Sequence, residues 1–175
     1  MDRDEVQRKT LSISENNSGQ QSQISTLTTA MFDFDEKEFN KTLSINILQL
    51  GMEQTTTQII FPFLQHVGIL WLGGSIHIAH EHFITNLIKQ RMFVAIDQVN
   101  VVPNSDAKKY LLFLPNGENH ELSLLFASYL LRANGQHVIY LGTSTPLDDL
   151  NKIHKIHNPD FVFCALTNSN AAIPS

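Results

Sequence analysis

The stretch Tyr110-Leu111-Leu112-Phe113-Leu114-Pro115-Asn116-Gly117-Glu118-Asn119-His120-Glu121-Leu122-Ser123 decides the fold. Its five apolar residues, stopped by Pro115-Asn116-Gly117, read as a short strand buried on both faces. Downstream lies an amphipathic helix carrying Leu122, Leu125, Phe126, Tyr129 and Leu130 and closing at Asn134-Gly135. A strand from His137 to Leu141, a helix from Leu147 to Ile156 and a strand from Phe161 to Leu166 follow. This β-α-β-α-β alternation predicts a doubly wound parallel sheet of flavodoxin-like order. Ligands of such sheets sit where the loops after strands one and three diverge, so the loop of residues 115–123 is the first place to look for chemistry. Open sheets of this kind usually have more strands, and the chain stops soon after the third. The expectation is an incomplete domain, truncated rather than small, because its last strand would otherwise be an apolar edge.

Working upstream, the period changes to a helical one. Asp33 or Asp35 can cap a helix with Glu36 and Glu38 in its first turn, and Phe39, Leu43, Ile47 and Leu50 recur at helical spacing before Gly51. A second helix, about Glu53 to Leu72, carries Ile60, Phe63, Leu64, Val67 and Trp71, with a kink expected at Pro62. Gly73-Gly74-Ser75 turns the chain into a third helix, about Ile76 to Asn100. Its stripe is Ile76, Phe83, Leu87 and Val94, widened by Ile84, Ile88 and Met92. Three helices with short links make most of a bundle, and a fourth would have to come from the tail, another region or another chain. Residues 1–30 contain 16 Ser, Thr, Asn, Gln or Gly and no aromatic residue, which reads as a disordered tail or linker. The expected organisation is therefore a tail over 1–30, a helical bundle over 31–102 and a Rossmann-like domain over 107–175. In fold class this is α + α/β, a helical cap followed by a truncated flavodoxin-like sheet.

Composition bounds the function. The 175 residues are 42% apolar and 17% charged, with 12 Lys+Arg against 17 Asp+Glu and a net charge of −5. That balance argues against a chain-wide grip on nucleic-acid phosphates. A single cysteine, Cys164, excludes an internal disulfide or a multi-cysteine zinc site. No Asp, Glu, Lys or Arg occurs from Gln54 to His80, but Pro62, Gln65, His66 and Gly73-Gly74 interrupt the apolar run. A buried amphipathic helix fits better than a membrane span. The acidic start lacks a signal-peptide core, so a cytoplasmic location is expected by default.

Several side chains invite a metal. His120 lies beside the start of the helix after strand one, with a carboxylate two residues before it to hold one ring nitrogen. Asn119 or Asn116 as helix cap, with His120 a first-turn surface residue, is the alternative. His77, His80 and His82 do not form H-E-x-x-H, and no E-x-x-H pair supplies a di-iron site. His154 and His157, near a helix end, read as surface residues, and Cys164 as a buried small hydrophobe.

Glu118-x-His120, with Ser123 in place of a glycine, resembles the Asp/Glu-x-His-x-x-Gly motif of the cobalamin-binding fold. Trp71, followed after nine residues by Glu81-His82, is similar to the W-x9-E-H pattern in helical caps of cobalamin-dependent regulators of the MerR family, including light-sensing repressors. The order of bundle and Rossmann-like half agrees, and the resemblance covers about Phe32 to the C-terminus. It implies adenosylcobalamin or methylcobalamin held between bundle and sheet. His120 would be the lower axial ligand to cobalt, oriented by Glu118, and Trp71, Glu81 and His82 would face the upper side. Cys164-Ala165-Leu166 stands where the family has Ser-x-Leu against the lower base, with Thr167 as a substitute hydroxyl. Ser123 and Gly142 complete the implied cofactor-binding set. Where the photoreceptors have a second histidine, directly after the tryptophan, this chain has Leu72.

The implied function is cobalamin sensing in a transcriptional regulator, without enzymatic activity. Oligomers would form through the bundle, and DNA would be reached only by a winged helix-turn-helix outside this chain. A degenerate interaction module without cofactor and a corrinoid carrier of a methyltransferase are the alternatives.

Overall fold

The first helix, α1, spans Arg3–Phe32, in a computed structural model that describes residues 3–102 and 105–166, with side chains from residue 18 onward. Where a disordered tail was expected over 1–30, the described residues from Arg3 onward are helical. Leu27, Ala30 and Met31, spaced i, i+3 and i+4, are buried, and α1 packs against the two helices that follow it in the bundle. A polar composition sets a poor intrinsic propensity, but most helical stability in proteins comes from packing one apolar stripe. The helix missing from the sequence-derived bundle is therefore α1.

Helix α2, Glu36–Thr55, starts at Asp35, whose carboxylate accepts from the Glu38 backbone N–H at 2.9 Å. Gly51 interrupts it at φ +80°, ψ +166°, a conformation open to glycine. The stop expected at Gly51 is thus a break between two helical segments. A π-helical turn, Thr56–Ile60, then leads into α3, Phe61–Leu72. Pro62 sits in the first turn of α3, so the disturbance expected at this proline is realised as the π turn preceding it. In a regular helix the Gln58 carbonyl would accept from residue 62, which has no N–H. It accepts from the Gln20 side-chain amide of α1.

Helix α4 covers Ile78–Asp97, shorter at both ends than expected. Ile84, Ile88 and Met92, expected to flank the stripe, are its fully buried line, whereas Val94 is exposed. In the unit Met1–Leu87, Phe39 and Phe63 meet edge to face at 5.8 Å, with Leu27, Met31, Leu43, Ile60 and Ile84 also fully buried. Each such side chain contributes about 1.5–3 kcal/mol by leaving water.

The second unit, Ile88–Ser175, contains β1 (Lys109–Pro115), α5 (Leu122–Ala133), β2 (His137–Thr145), α6 (Leu147–His157) and β3 (Phe161–Cys164). The strands form one parallel sheet in the order β2-β1-β3. Central β1 is buried from Leu111 to Pro115, as its continuous apolar run predicts. Leu112 and Leu114 pack on Leu124 of α5. Right-handed crossovers, the rule for parallel units, place α5 and α6 on opposite faces of a sheet in this order. Strand β3 is shorter than expected, and all four of its residues are exposed. Among the described residues no helix is long and apolar enough to cross a membrane.

Candidate cofactor site

At the switch point of the sheet, β1 leads into a turn in which Gly117 adopts φ +88° and the Glu118 N–H donates to the Pro115 carbonyl at 3.1 Å. The turn sends the Glu118 side chain inward, where it is 1% exposed. Its Oε1 accepts from the His120 backbone N–H at 2.9 Å and pairs with His120 Nδ1 at 2.7 Å. A single buried oxygen thereby fixes both the backbone and the ring of His120. The ring itself is 65% exposed. With Nδ1 engaged by a carboxylate, Nε2 is the nitrogen suited to coordination, the arrangement that metal-ligating histidines commonly show.

Helix α5 begins at Leu122, so His120 precedes it and is not a first-turn residue. The capping position is Glu121, not Asn116 or Asn119, and its side chain makes no capping bond. Instead Glu121 joins a network that the sequence did not disclose. Tyr140 Oη donates to Glu121 Oε1 at 2.7 Å, and Lys89 Nζ pairs with Glu121 Oε2 at 3.1 Å. Burial first, and then the Glu121 carboxylate, push the Tyr140 phenol well above its ordinary range, so it stays a donor at neutral pH. Strand register contributes Tyr140 to this network, through the pairing of Leu112 with Tyr140. Gly142, two residues on, adopts φ +76° beside a register shift and adjoins Glu121 and Tyr140.

Cys164, paired in register with Phe113, is exposed at the open side of the sheet rather than buried as expected. Partial burial of its sulfur, and then the charge of Glu118, push its thiol pKa up. Leu166 is exposed beyond β3, and Ser123 is exposed in the first turn of α5. Thr167 lies outside the described residues.

In the first unit Trp71, near the end of α3, is 47% exposed and so is not the core anchor that tryptophan usually provides. Leu72 beside it is 89% exposed. Glu81 occupies the first turn of α4, with its carboxylate 3.6 Å from His82 Nδ1 and both side chains open to solvent. His80 stacks on Phe34 at 4.7 Å, and its Nδ1 accepts from the His77 backbone N–H at 3.1 Å. That bond engages His80 in capping α4. Among the described residues no group of three or more His, Cys, Asp or Glu side chains is placed to hold a metal. A cobalt-containing cofactor would need only one protein ligand, and an imidazole steered by a buried carboxylate is a donor set that would fit it.

Residues 23–95 match the protein family described as B12 binding domain. The HTH-type transcriptional repressor CarH of Myxococcus xanthus is 26% identical over 139 residues, covering 79% of this chain and 46% of CarH. The repressor CarA of the same organism is 29% identical over 122 residues, covering 70% of this chain and 40% of CarA. The chain thus spans less than half the length of either repressor. Among solved structures, it is similar to a cobalamin-binding protein from Desulfitobacterium hafniense DCB-2, with 20% identity, a TM-score of 0.36, and coverage of 82% of this chain and 69% of that one. It is also similar to the methanol:cobalamin methyltransferase complex MtaBC from Methanosarcina barkeri, with 17% identity, a TM-score of 0.42, and coverage of 83% and 57%. The cofactor of the matched family, vitamin B12 or cobalamin, is the one the sequence motifs implied. Residues 23–95 match the B12 binding domain family, and the chain is homologous to the repressors CarH and CarA.

Proposed function

We propose that this chain is the cobalamin-sensing part of a transcriptional regulator and that it binds the cofactor with His120 as lower axial ligand. The observation that carries the reading is the buried Glu118 carboxylate locked onto His120 Nδ1 at 2.7 Å. A carboxylate so placed sets the ring's tautomer and aim, as an imidazole ligand requires. Cobalamin supplies a cobalt centre whose axial bonds can be exchanged. Leu166, Thr167, Ser123 and Gly142 are assigned to the cofactor's lower side, with the Cys164 thiol where the family places a serine. Trp71, Glu81 and His82 are assigned to its upper side, and the exposure of Trp71 and His82, with Glu81 partly exposed, suits that role. Leu72 carries no imidazole, so trapping of cobalt by a second histidine after light is not expected at that position. Homo-oligomers through the helical unit, action in the cytoplasm, and DNA contact through a domain outside this chain complete the proposal.

A visible-absorption titration with adenosylcobalamin, in the dark and after green light, tests it. The expected result is a saturable change characteristic of histidine replacing the cofactor's own base, lost in His120→Ala. No saturable change in folded protein, or the same change in His120→Ala, overturns it.

A further inference from the structure

We infer that Lys89, Glu121 and Tyr140 act together as a clamp that positions His120 for coordination, a reading that rests on the histidine ligation proposed above. His120 lies between two anchored glutamates. On one side Glu118 is buried and grips it directly. On the other, Glu121 is the next residue along the chain, and its carboxylate is tied at both oxygens to different elements. Oε1 takes the Tyr140 hydroxyl of β2 at 2.7 Å, and Oε2 takes the Lys89 ammonium of α4 at 3.1 Å.

The chemistry suits a clamp better than an incidental surface pair. The Lys89 and Glu121 side chains are only 24% and 14% exposed, so they hold their geometry at the cost of some desolvation. The Tyr140 hydroxyl offsets part of that cost, because a partly buried carboxylate needs more than one donor. Within the loop the Glu121 N–H donates to the Asn119 carbonyl at 2.9 Å, and the Glu121 carbonyl accepts from Leu125 of α5. Residues 118–121 are thereby pinned to β1, β2, α4 and α5 together. A ligand nitrogen must be held to a fraction of an ångström, and loop residues reach that precision only when supporting side chains lock them. Lys89, Glu121 and Tyr140 are accordingly positioning residues that need not touch the cofactor.

The test uses the full chain and the variants Tyr140→Phe, Lys89→Gln and Lys89→Arg. In cofactor-free protein, amide hydrogen exchange over residues 117–122 is expected to rise about tenfold in Tyr140→Phe and Lys89→Gln, with residues 124–132 of α5 unchanged. Lys89→Arg should restore the wild-type rate. Adenosylcobalamin binding should weaken about tenfold in the first two variants, the low end of what outer-sphere substitutions cost a metal site, while the saturated spectrum stays that of histidine-ligated cofactor. Wild-type exchange over 117–122 in both Tyr140→Phe and Lys89→Gln overturns the clamp. Should Tyr140→Phe fail to fold, Lys89→Gln decides alone. The exchange arm needs no cofactor, so the clamp is judged even where His120→Ala disproves the ligation.

Discussion

Glu118 and His120, in the loop after β1, are joined at 2.7 Å with the carboxylate buried, whereas Glu81 and His82, in the first turn of α4, stand 3.6 Å apart in solvent. Both are adjacent or nearly adjacent acid–imidazole pairs in the sequence, and both belong to motifs that resemble cobalamin sites. Their geometry differs for a local reason. Neighbouring residues on a helix project in different directions, so Glu81 has little hold on the ring of His82. A turn with a glycine at positive φ folds residue 118 back under residue 120, so one oxygen reaches two donors. The comparison separates a preorganised imidazole from side chains that are placed but not oriented, and only the former has its ordering entropy met during folding.

The largest expected contrast is in cofactor affinity. Glu118→Ala should weaken adenosylcobalamin binding by about 10- to 100-fold, the range typical of a carboxylate behind a metal-bound histidine. Glu81→Ala should cost less, about tenfold at most, because it removes one solvent-accessible contact to the cofactor and leaves the aim of His120 intact. Equal losses in parallel titrations would remove the distinction between the two pairs.

Stability without cofactor gives a smaller contrast. Glu118→Ala strands the His120 backbone donor and should lower unfolding free energy by about 1–3 kcal/mol. Glu81→Ala removes only a favourable charge at a helix N-terminus and should cost less than about 1 kcal/mol. Urea denaturation of the two variants measures both.

The smallest effect sharpens the placement of Glu118. The Cys164 pKa is raised by burial of the thiol and by the Glu118 charge, so at pH 8 the thiolate fraction is below that of a free cysteine and alkylation should be slower. Neutralising the carboxylate in Glu118→Gln lowers that pKa, increases the thiolate and should speed alkylation a few-fold. Glu81→Gln should leave the rate unchanged. Iodoacetamide kinetics followed by mass spectrometry distinguish the cases.

Much of this arrangement was legible in the residues. Continuous apolarity over 110–114 announced a strand buried on both faces, and Glu118-x-His120 an acid–imidazole pair in the loop after it, whereas the helix stop read at Gly51 is a break within α2. The exceptions share one cause, dependence on distant partners. Helix α1 looked too polar to fold because the surfaces that cover Leu27, Ala30 and Met31 come from other helices. Cys164 looked buried because a strand cysteine usually is, yet β3 is the outer strand of the sheet among the described residues. The link of Lys89 to Glu121 and Tyr140 joins residues 32 and 19 positions apart in the chain, and no local pattern encodes it.

Residue order thus carried the periods, the turns and the motif spacing, because these depend on backbone geometry within a few residues. Pairing in space settled the rest: the π turn shaped by Pro62, the exposure of Trp71, the burial of Glu118 and the anchoring of Glu121. Burial and hydrogen-bond partnership are properties of the packed chain, since they depend on which distant surfaces exclude water from a group and which donors they bring to it.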